Sequence, residues 1–386
     1  MVKEQVAIKL EQLAQCVLDK LKDSIVFHRL GLYDGGFGIL LFLFYYAKYK
    51  NDSEVNAILD RYVDCLLNEL SAKIPSHTYG TGLSGILYLI TFLNEKQLTH
   101  IDISDAEKSI EPFLEKALEK EFINNNYDFI HGAIGVGLYF LKKNKQEYVN
   151  RVIDYLDNTA QREGIITKWE CSYFYEQPIY NISLSHGISS IIIFLSQVFE
   201  KYNSEKAKSM TEGAVNYILS QEMDFSKYGS LYPSFSTEAG LAKSRLGWCY
   251  GDLGIGIALW RASALLNVES WEKKAMDIFH RSATRKNDET VKDSSLCHGT
   301  AGISMIYNRL FLNTGERAFK EIADYWIWKT LRYAVFPDGL AGYKAAEKEG
   351  WVNSYCLLNG ISGIGITLLS YLQDDNQDWD ELFILS

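Results

Sequence analysis

The sequence predicts an all-α protein, a closed α/α barrel of seven inner and seven outer helices. Three observations lead to this fold class. A glycine-marked step recurs seven times along the 386 residues. A nearly all-apolar segment follows each step, and an amphipathic segment lies between consecutive steps. A pair of one outer and one inner helix cannot cover its own apolar surface, whereas a closed ring covers it for every pair. An open superhelix of the same pairs is the alternative.

The repeated step has the form Gly-x-x-Gly, and Ser190 replaces its second glycine in the fourth copy. The first glycines are 47 to 64 residues apart, which indicates insertions in the connecting loops. Glycine lets the backbone at an inner helix start approach its neighbours closely. The first glycines are Gly35, Gly82, Gly132, Gly187, Gly251, Gly299 and Gly360.

The segments between the steps predict the outer helices. Apolar residues recur at three-and-four spacing from Val55 to Leu70, with charges between them, as in a helix with one buried face. The same pattern predicts outer helices near residues 4–22, 105–120, 145–161, 205–221, 269–283 and 316–333. By contrast, the run from Ile39 to Ala47 is apolar on all sides, so its helix must be buried on all sides. Such a ring places every inner-helix N-terminus at one end, where anionic groups are favoured.

Composition restricts the class of protein. Hydrophobic residues make up 47% and charged residues 23%, as in ordinary soluble proteins, and we predict a single domain over residues 1–386. The net charge of −10 argues against a general nucleic-acid binder, which needs a basic face. The run from Ile39 to Ala47 is well short of the roughly 20 residues that span a bilayer. Six dispersed cysteines and a start without the apolar core of a signal peptide indicate reduced thiols and a cytoplasmic protein.

Aligning the repeats on their first glycine places two cysteines at one level. Cys249 and Cys297 each stand two residues before a first glycine, and His298 follows Cys297 directly. Inner helices pack about 8–10 Å apart, so side chains that lean together can share an ion. Two thiolates and one imidazole with an open fourth position suit zinc. The sequence therefore predicts a zinc site formed by these three residues, with core packing of the cysteines as the alternative.

The other cysteines carry weaker signals. Cys356 stands four residues before Gly360, outside the register of the two cysteines, and is the alternative fourth ligand. Cys16 and Cys65 lie on predicted outer helices and are expected to pack there. Cys171 lies in a loop and has no assigned role. If zinc has three protein ligands, its fourth position can take a substrate thiol and lower that thiol's pKa.

The residue directly before each first glycine is polar or aromatic, although its neighbours are apolar. His186 holds this position one repeat before Cys249 and is the candidate proton-transfer group, with a hydrogen-bonded structural histidine as the alternative. Asp128, four residues before Gly132, could orient a histidine or cap a helix. Arg245 could hold a carbonyl, an enolate or Asp128, or be a solvated loop cation. The residues at this position are Asp34, Thr81, His131, His186, Tyr250, His298 and Asn359.

Aromatic side chains concentrate next to these steps. Tyr250 and Trp248 flank Cys249 and could line a pocket or pack in the core. Three long loops, residues 163–185, 223–246 and 335–355, are also rich in aromatics. Aromatic residues with glycines suit the rim of a peptide-sized groove, although ordinary loop packing explains them nearly as well.

The motifs together resemble a known family. Trp-Cys-Tyr-Gly at 248–251, Cys-His-Gly at 297–299, Ser-His-Gly at 185–187 and the seven glycine-marked repeats resemble the lanthionine synthetase C family, the LanC cyclases. The resemblance spans essentially the whole chain. It implies an α/α toroid with one zinc ion. It also implies a cyclase that adds a peptide cysteine thiol across a dehydroalanine or dehydrobutyrine, which forms the thioether rings of a lanthipeptide.

The resemblance also implies roles for individual residues. Cys249, Cys297 and His298 match the family's zinc ligands, and His186 matches its acid–base histidine. Asp128, Arg245 and Tyr250 match the family's aspartate, pocket arginine and tyrosine. The implied partners are a dehydrated leader–core precursor peptide, a lanthipeptide dehydratase and an exporter. Attachment to such a biosynthetic complex would place a cytoplasmic protein at the membrane surface.

Two other functions remain open at this point. A zinc-dependent thiol alkyltransferase of the prenyltransferase type also uses an α/α barrel and a zinc-bound thiolate, but the zinc set of those enzymes includes an aspartate. No carboxylate here is in register with Cys249 and Cys297. The second alternative is a non-catalytic LanC-like toroid that binds a peptide or glutathione. The presence of His186 and Asp128 favours catalysis.

Overall fold

A computed structural model of the chain describes residues 2–23, 29–73, 75–171, 177, 179–373 and 378–386. Two compact units make up the chain. The first unit comprises Met1–Ser76, Gly80–Asp102 and Val291–Trp379. The second unit comprises His77–Tyr79, Ile103–Thr290 and Asp380–Ser386. That all 386 residues form one domain stays a prediction.

Helices dominate both units. In chain order the helices are α1 (Val2–Asp23), α2 (Gly36–Lys50), α3 (Ser53–Ala72), α4 (Leu83–Glu95), α5 (Ser104–Ile123), α6 (Ala133–Lys142), α7 (Gln146–Thr159), α8 (Ile188–Tyr202), α9 (Glu205–Ser220), α10 (Phe225–Tyr228), α11 (Asp252–Leu266), α12 (Glu269–Ala283), α13 (Thr300–Thr314), α14 (Arg317–Arg332) and α15 (Ile361–Gln373). Short 3₁₀ turns lie at Thr237–Ala239 and Trp379–Phe383. A helix starts directly at or after every first glycine, as the repeats predict.

The first unit shows both kinds of predicted helix. All residues of α2 from Gly36 to Ala47 are buried, because the helix is apolar on every side. Its partner α3 buries one stripe only, which includes Val55, Tyr62 and Leu66, and exposes the charged face. Helix α1 packs on α15, α2 on α3 and on α15, and α13 on α14. The amphipathic and apolar patterns thus predicted helix burial correctly.

The second unit repeats this arrangement. Helix α8 packs on α9 and α11, and α11 packs on α12. The predicted outer helix at 269–283 has the bounds of α12, and the one at 205–221 corresponds to α9. Two short hairpins also occur in this unit. Strand β1 (Gln161–Glu163) pairs with β2 (Ile166–Lys168), and β3 (Glu170–Cys171) with β4 (Ile179–Tyr180). A third hairpin, β5 (Ala345–Glu347) with β6 (Gly350–Val352), belongs to the first unit.

The glycine steps, with one exception, share a hydrogen bond at the helix start. In six of the seven steps, the N–H after the first glycine donates to the carbonyl six residues before that glycine, at 2.7–3.0 Å. A Cβ atom on the first glycine would overlap this carbonyl, so no other residue fits. The step at Gly251 differs, because Gly251 has a φ of +89° that strongly favours glycine. Close backbone contact at the helix start therefore explains the repeated glycines.

None of the described helices combines the length and the apolar character that a membrane crossing requires.

Candidate active site and metal ligands

Asp128 and His186 form a short, buried pair within the second unit. Asp128 precedes α6, His186 precedes α8, and the His186 Nδ1 atom lies 2.6 Å from Asp128 Oδ2. The Asp128 side chain is only 1% exposed, whereas that of His186 is 23% exposed. The other carboxylate oxygen, Oδ1, accepts the backbone N–H of His131 at 2.7 Å. Asp128 therefore both caps its own loop and contacts the histidine.

The environment of His186 sets its charge and orientation. Its backbone N–H donates to Ser183 Oγ at 3.2 Å, and its ring stacks on His131 at 5.9 Å. Burial lowers the pKa of His186 most strongly, but the Asp128 charge, the Asp128 hydrogen bond and Cys249 together outweigh burial and raise it. Because Asp128 occupies Nδ1, the proton that His186 can exchange with a substrate is the one on Nε2.

Cys249 is buried and is tied to the loop that carries His186. The Cys249 carbonyl accepts the N–H groups of Leu184 at 3.1 Å and of Ser185 at 3.2 Å. It also accepts the Ser185 hydroxyl at 3.2 Å. Three hydrogen bonds on one carbonyl fix the backbone of Cys249 next to the residue that precedes His186. The cysteine at the predicted ligand position and the predicted proton-transfer group thus belong to adjoining loops of this unit.

Arg245 and Tyr250 lie on either side of this cysteine along the chain. The Arg245 Nη1 atom lies 4.0 Å from Cys249 Sγ, and the Arg245 guanidinium lies 5.8 Å from the centre of the Tyr250 ring. Tyr250 also contacts the rings of His186 at 6.0 Å and Phe235 at 5.7 Å. Arg245 is therefore not a purely solvated loop cation, because its charged end reaches the sulfur.

Trp248 packs in the core of the second unit. Its side chain is fully buried, and its Nε1–H donates to the carbonyl of Phe383 at 3.0 Å. Its ring contacts Phe383 edge-on at 5.4 Å and Phe129 at 6.4 Å. Of the two interpretations of Trp248, packing is the one that fits these contacts.

Cys297 and His298 precede α13 in the first unit. The N–H groups of Leu296 and Cys297 donate to the Leu358 carbonyl at 3.0 and 3.2 Å, which repeats the bonding of the Cys249 carbonyl. The His298 N–H donates to Ser295 Oγ at 3.4 Å, and Ser295 donates to Asp293 Oδ1. The backbone of this Cys-His pair is therefore held as firmly as that of His186.

The remaining cysteines have surroundings that fit packing. The Cys356 thiol accepts the Ser354 hydroxyl at 3.2 Å, and burial raises the pKa of this thiol, which disfavours the thiolate. Cys16 and Cys65 are partly buried on α1 and α3, where packing was predicted. Cys171 is buried at the end of β3.

The aromatic loops are partly described. Trp169 is buried and donates to the Leu156 carbonyl at 2.8 Å, so it packs inside the second unit. The Phe336 and Trp351 rings contact each other at 4.8 Å in the first unit. Tyr173, Phe174 and Tyr175, which the sequence places on the predicted rim, lie outside the described residues.

One buried network behind Asp128 was missed at the level of sequence. Asn126 Oδ1 accepts the Asp128 N–H at 3.3 Å, and Asn126 Nδ2 donates to Glu121 Oε2 at 2.5 Å. Glu121 is buried and pairs with His77 at 3.0 Å. A signal was available, because Asn126, Asn181 and Asp293 all stand six residues before a first glycine and all accept a nearby N–H.

Comparison with known proteins places this arrangement in a family. A solved structure of nisin cyclase matches 97% of this chain and 97% of its own, with a TM-score of 0.76 and 18% identity. This likeness confirms the predicted fold class, an all-α toroid. The nisin biosynthesis protein NisC of Lactococcus lactis subsp. lactis is 25% identical over 332 residues, which cover 76% of this chain and 77% of that protein. The sequence model of the family described as lanthionine synthetase C-like protein matches residues 26–384, and the chain belongs to this family.

Proposed function

We propose that this protein is a zinc-dependent lanthipeptide cyclase. Its reaction is the intramolecular addition of a peptide cysteine thiol to dehydroalanine or dehydrobutyrine, which forms lanthionine or methyllanthionine. The observation that carries the proposal is the 2.6 Å contact between His186 and the buried Asp128, beside Cys249 and Arg245. The Asp128 contact orients the His186 ring for proton transfer. The loop that carries His186 is bonded to the backbone of Cys249, which the sequence independently marks as a metal ligand.

The chain's donor set fits zinc. We propose as its ligands Cys249, Cys297 and His298, the three residues that the sequence marks for this role. Two thiolates and a neutral imidazole are soft to borderline donors of the kind that zinc accepts in sites with an open position. When bound, zinc would lower the pKa of a substrate thiol so that the thiolate forms near neutral pH.

The chain's own residues supply the rest of the chemistry. In the addition, the sulfur bonds to the β-carbon, the π electrons move to the carbonyl oxygen as an enolate, and the α-carbon then takes a proton. In the proposed reaction His186 holds and delivers this proton from Nε2, and Asp128 stabilises the imidazolium through its contact with Nδ1. Arg245 offers a positive charge for the enolate oxygen. The Tyr250 ring contacts both the His186 ring and the Arg245 guanidinium, and we propose that it helps to orient these two groups.

The names of the relatives support the substrate class of the proposal. One relative is named for nisin biosynthesis and one for cyclisation of nisin. By analogy, we propose a dehydrated leader–core peptide as the substrate of this chain, in a cytoplasmic reaction. A dehydratase would supply that peptide and an exporter would remove the product, and complex formation with them would bring the cyclase to the membrane surface.

The test is incubation of zinc-loaded protein with a dehydrated, cysteine-containing precursor. Addition of a thiol to an alkene conserves mass, so the expected result is loss of alkylatable thiol without a mass change. Elemental analysis of Cys297→Ala should show loss of zinc. Cys171→Ser is the matched control, since Cys171 is a buried cysteine at the end of β3 and is not one of the proposed ligands, and it should retain zinc.

The proposed catalysis, the type of reaction and the zinc ligands can each be contradicted by a different result. A wild-type protein that binds zinc and peptide but leaves the thiols free would be the non-catalytic alternative. Thiol loss with a gain in mass from an added isoprenoid would indicate the alkyltransferase. Zinc retained in full by Cys297→Ala would contradict the proposed ligands.

A further inference from the structure

The backbone of Arg245 is held on both sides by the segment that follows α12. The carbonyl of Ser244, directly before Arg245, accepts a hydrogen bond from Arg285 Nη2 at 2.6 Å. The N–H of Leu246, directly after Arg245, donates to Thr290 Oγ1 at 3.1 Å. Both contacts lie within the second unit. The peptide groups on the two sides of one exposed arginine thus have side-chain partners more than 40 residues away.

Asp288 links these two contacts, because it accepts hydrogen bonds from both Arg285 and Thr290. Asp288 Oδ2 accepts Arg285 Nε at 2.8 Å, and Asp288 Oδ1 accepts the Thr290 hydroxyl at 2.6 Å. The Thr290 hydroxyl proton therefore goes to Asp288, and its oxygen lone pair is directed at Leu246. We call Arg285, Asp288 and Thr290 the 285–290 clamp.

Charge balance makes the clamp rigid. The side chains of Arg285 and Asp288 are 4% and 0% exposed. Arg285 also pairs with the fully buried Asp252 at 3.0 Å, and Lys243 pairs with Asp288 at 3.1 Å. Two carboxylates and two cations satisfy one another, which is the condition under which buried charges are tolerated. Asp252 in turn accepts the N–H groups of residues 231 and 232, so the loop that leads to Arg245 is fixed as well.

We propose that the 285–290 clamp positions Arg245 for the reaction. The clamp's hydrogen bonds to this segment go to the two peptide groups that flank Arg245, so we assign its effect to the arginine that it holds. Fixing the two neighbouring peptide groups restricts where the Arg245 guanidinium can reach, and keeps it beside the Cys249 sulfur and the Tyr250 ring. The inference rests on the role proposed above for Arg245. Misplacement of a reacting or stabilising group by about 1 Å can cost about 100-fold in rate.

Thr290 is the residue to test, because it is neutral and its replacement leaves no buried charge unpaired. Thr290→Val keeps the shape and removes the oxygen that accepts the Leu246 N–H. We expect kcat for thioether formation to fall about tenfold with KM changed by less than about twofold. Thr290→Ser, which keeps the hydroxyl, should restore the rate. In an Arg245→Gln background, Thr290→Val should cause no further loss.

Thr284→Val is the matched control. Thr284 follows the same helix, but its hydroxyl donates to the local Arg281 carbonyl, so the rate should not change. A tenfold loss from Thr290→Val that persists in Arg245→Gln would overturn the proposal, since the clamp would then act elsewhere. Failure of Thr290→Ser to restore the rate would overturn it too.

A second readout needs no substrate. The Nε–Hε NMR signal of Arg245, identified by its loss in Arg245→Gln, should shift or broaden in Thr290→Val and stay unchanged in Thr284→Val. If the wild-type protein forms no thioether, the proposed function fails, and this signal alone decides whether the clamp positions Arg245. An Arg245 signal that is identical in Thr290→Val and wild type would overturn the inference.

Discussion

The loop before Gly187 in the second unit and the loop before Gly82 in the first unit have the same backbone and different chemistry. In both loops, the N–H after the glycine donates to the carbonyl six residues before it, at 2.8 Å from Ile188 to Asn181 and 2.7 Å from Leu83 to Ser76. The residue directly before the glycine is His186 in one and Thr81 in the other. This shared bond uses main-chain atoms only, so the side chain at the position before the glycine can differ between the two loops.

The largest effect should come from replacing that side chain in the second unit. His186→Asn should lower kcat about 10²- to 10⁴-fold, because the proposed proton donor is removed, while the zinc content stays at the wild-type level. Thiol-loss assays and elemental analysis check the two statements. Thr81→Ala, at the equivalent position of the first unit, is the matched control and should stay within about twofold of wild type. Normal cyclisation by His186→Asn would contradict the assigned role.

The shared backbone predicts equal losses of stability at the two glycines. In Gly187→Ala and Gly82→Ala, the new Cβ would overlap the carbonyls of Asn181 and Ser76. Each change should lower the free energy of unfolding by about 2–4 kcal/mol, measured by urea denaturation. Gly315→Ala is the control. It meets no atom within 4 Å and should cost only about 1 kcal/mol, because its φ is +70°. A wild-type free energy of unfolding in either glycine variant would contradict the predicted overlap with the carbonyl.

Asp128→Asn should remove the negative charge beside His186 while it keeps an oxygen that can accept the His131 N–H. Without the carboxylate charge, the pKa of His186 should fall from its raised value, because burial would then dominate. The imidazolium would be lost at a lower pH, so the alkaline limb of the kcat profile should move to lower pH, with kcat about 10- to 100-fold lower. A histidine NMR titration measures the pKa directly. Ser183→Ala, which removes a neutral partner of the same residue, should leave the pKa in place.

The same pair has a consequence for stability. A raised pKa in the folded state means that the pair stabilises the protein fully below the unfolded pKa of about 6.5, and that this stabilisation is lost as pH rises through the folded pKa. Asp128→Asn should therefore flatten the dependence of unfolding free energy on pH in this window. An unchanged slope would show that the pair does not hold the proton that we assign to it.

The smallest effect should come from the side chains that support the loops. Asn181 Oδ1 accepts the Ser183 N–H at 2.9 Å in a buried setting, so Asn181→Ala should cost about 1 kcal/mol of unfolding free energy. Ser76 at the equivalent position is exposed, and Ser76→Ala should cost less than about 0.5 kcal/mol. Denaturant titration of the two variants compares them directly, and equal costs would argue against this difference.

Much of the fold was predictable, because periodicity and glycine spacing are local signals. The pattern from Val55 to Leu70 predicted α3, and the outer helix expected at 269–283 matches α12. The three hairpins were not predicted, because strands of two or three residues carry no periodic signal. The contact between Asp128 and His186 was predictable only as an option, since it joins loops 58 residues apart. The 285–290 clamp has no motif at all, and its members are recognisable only from their contacts.

The carbonyl bonds between neighbouring loops have an evolutionary consequence. The Cys249 carbonyl in one unit and the Leu358 carbonyl in the other each accept two backbone N–H groups of another loop. Almost every residue type has the same main-chain N–H and C=O groups, so mutations at these positions can change the side chain and keep the hydrogen bonds. A chain built in this way can drift to 18% identity with nisin cyclase and still superimpose on it with a TM-score of 0.76.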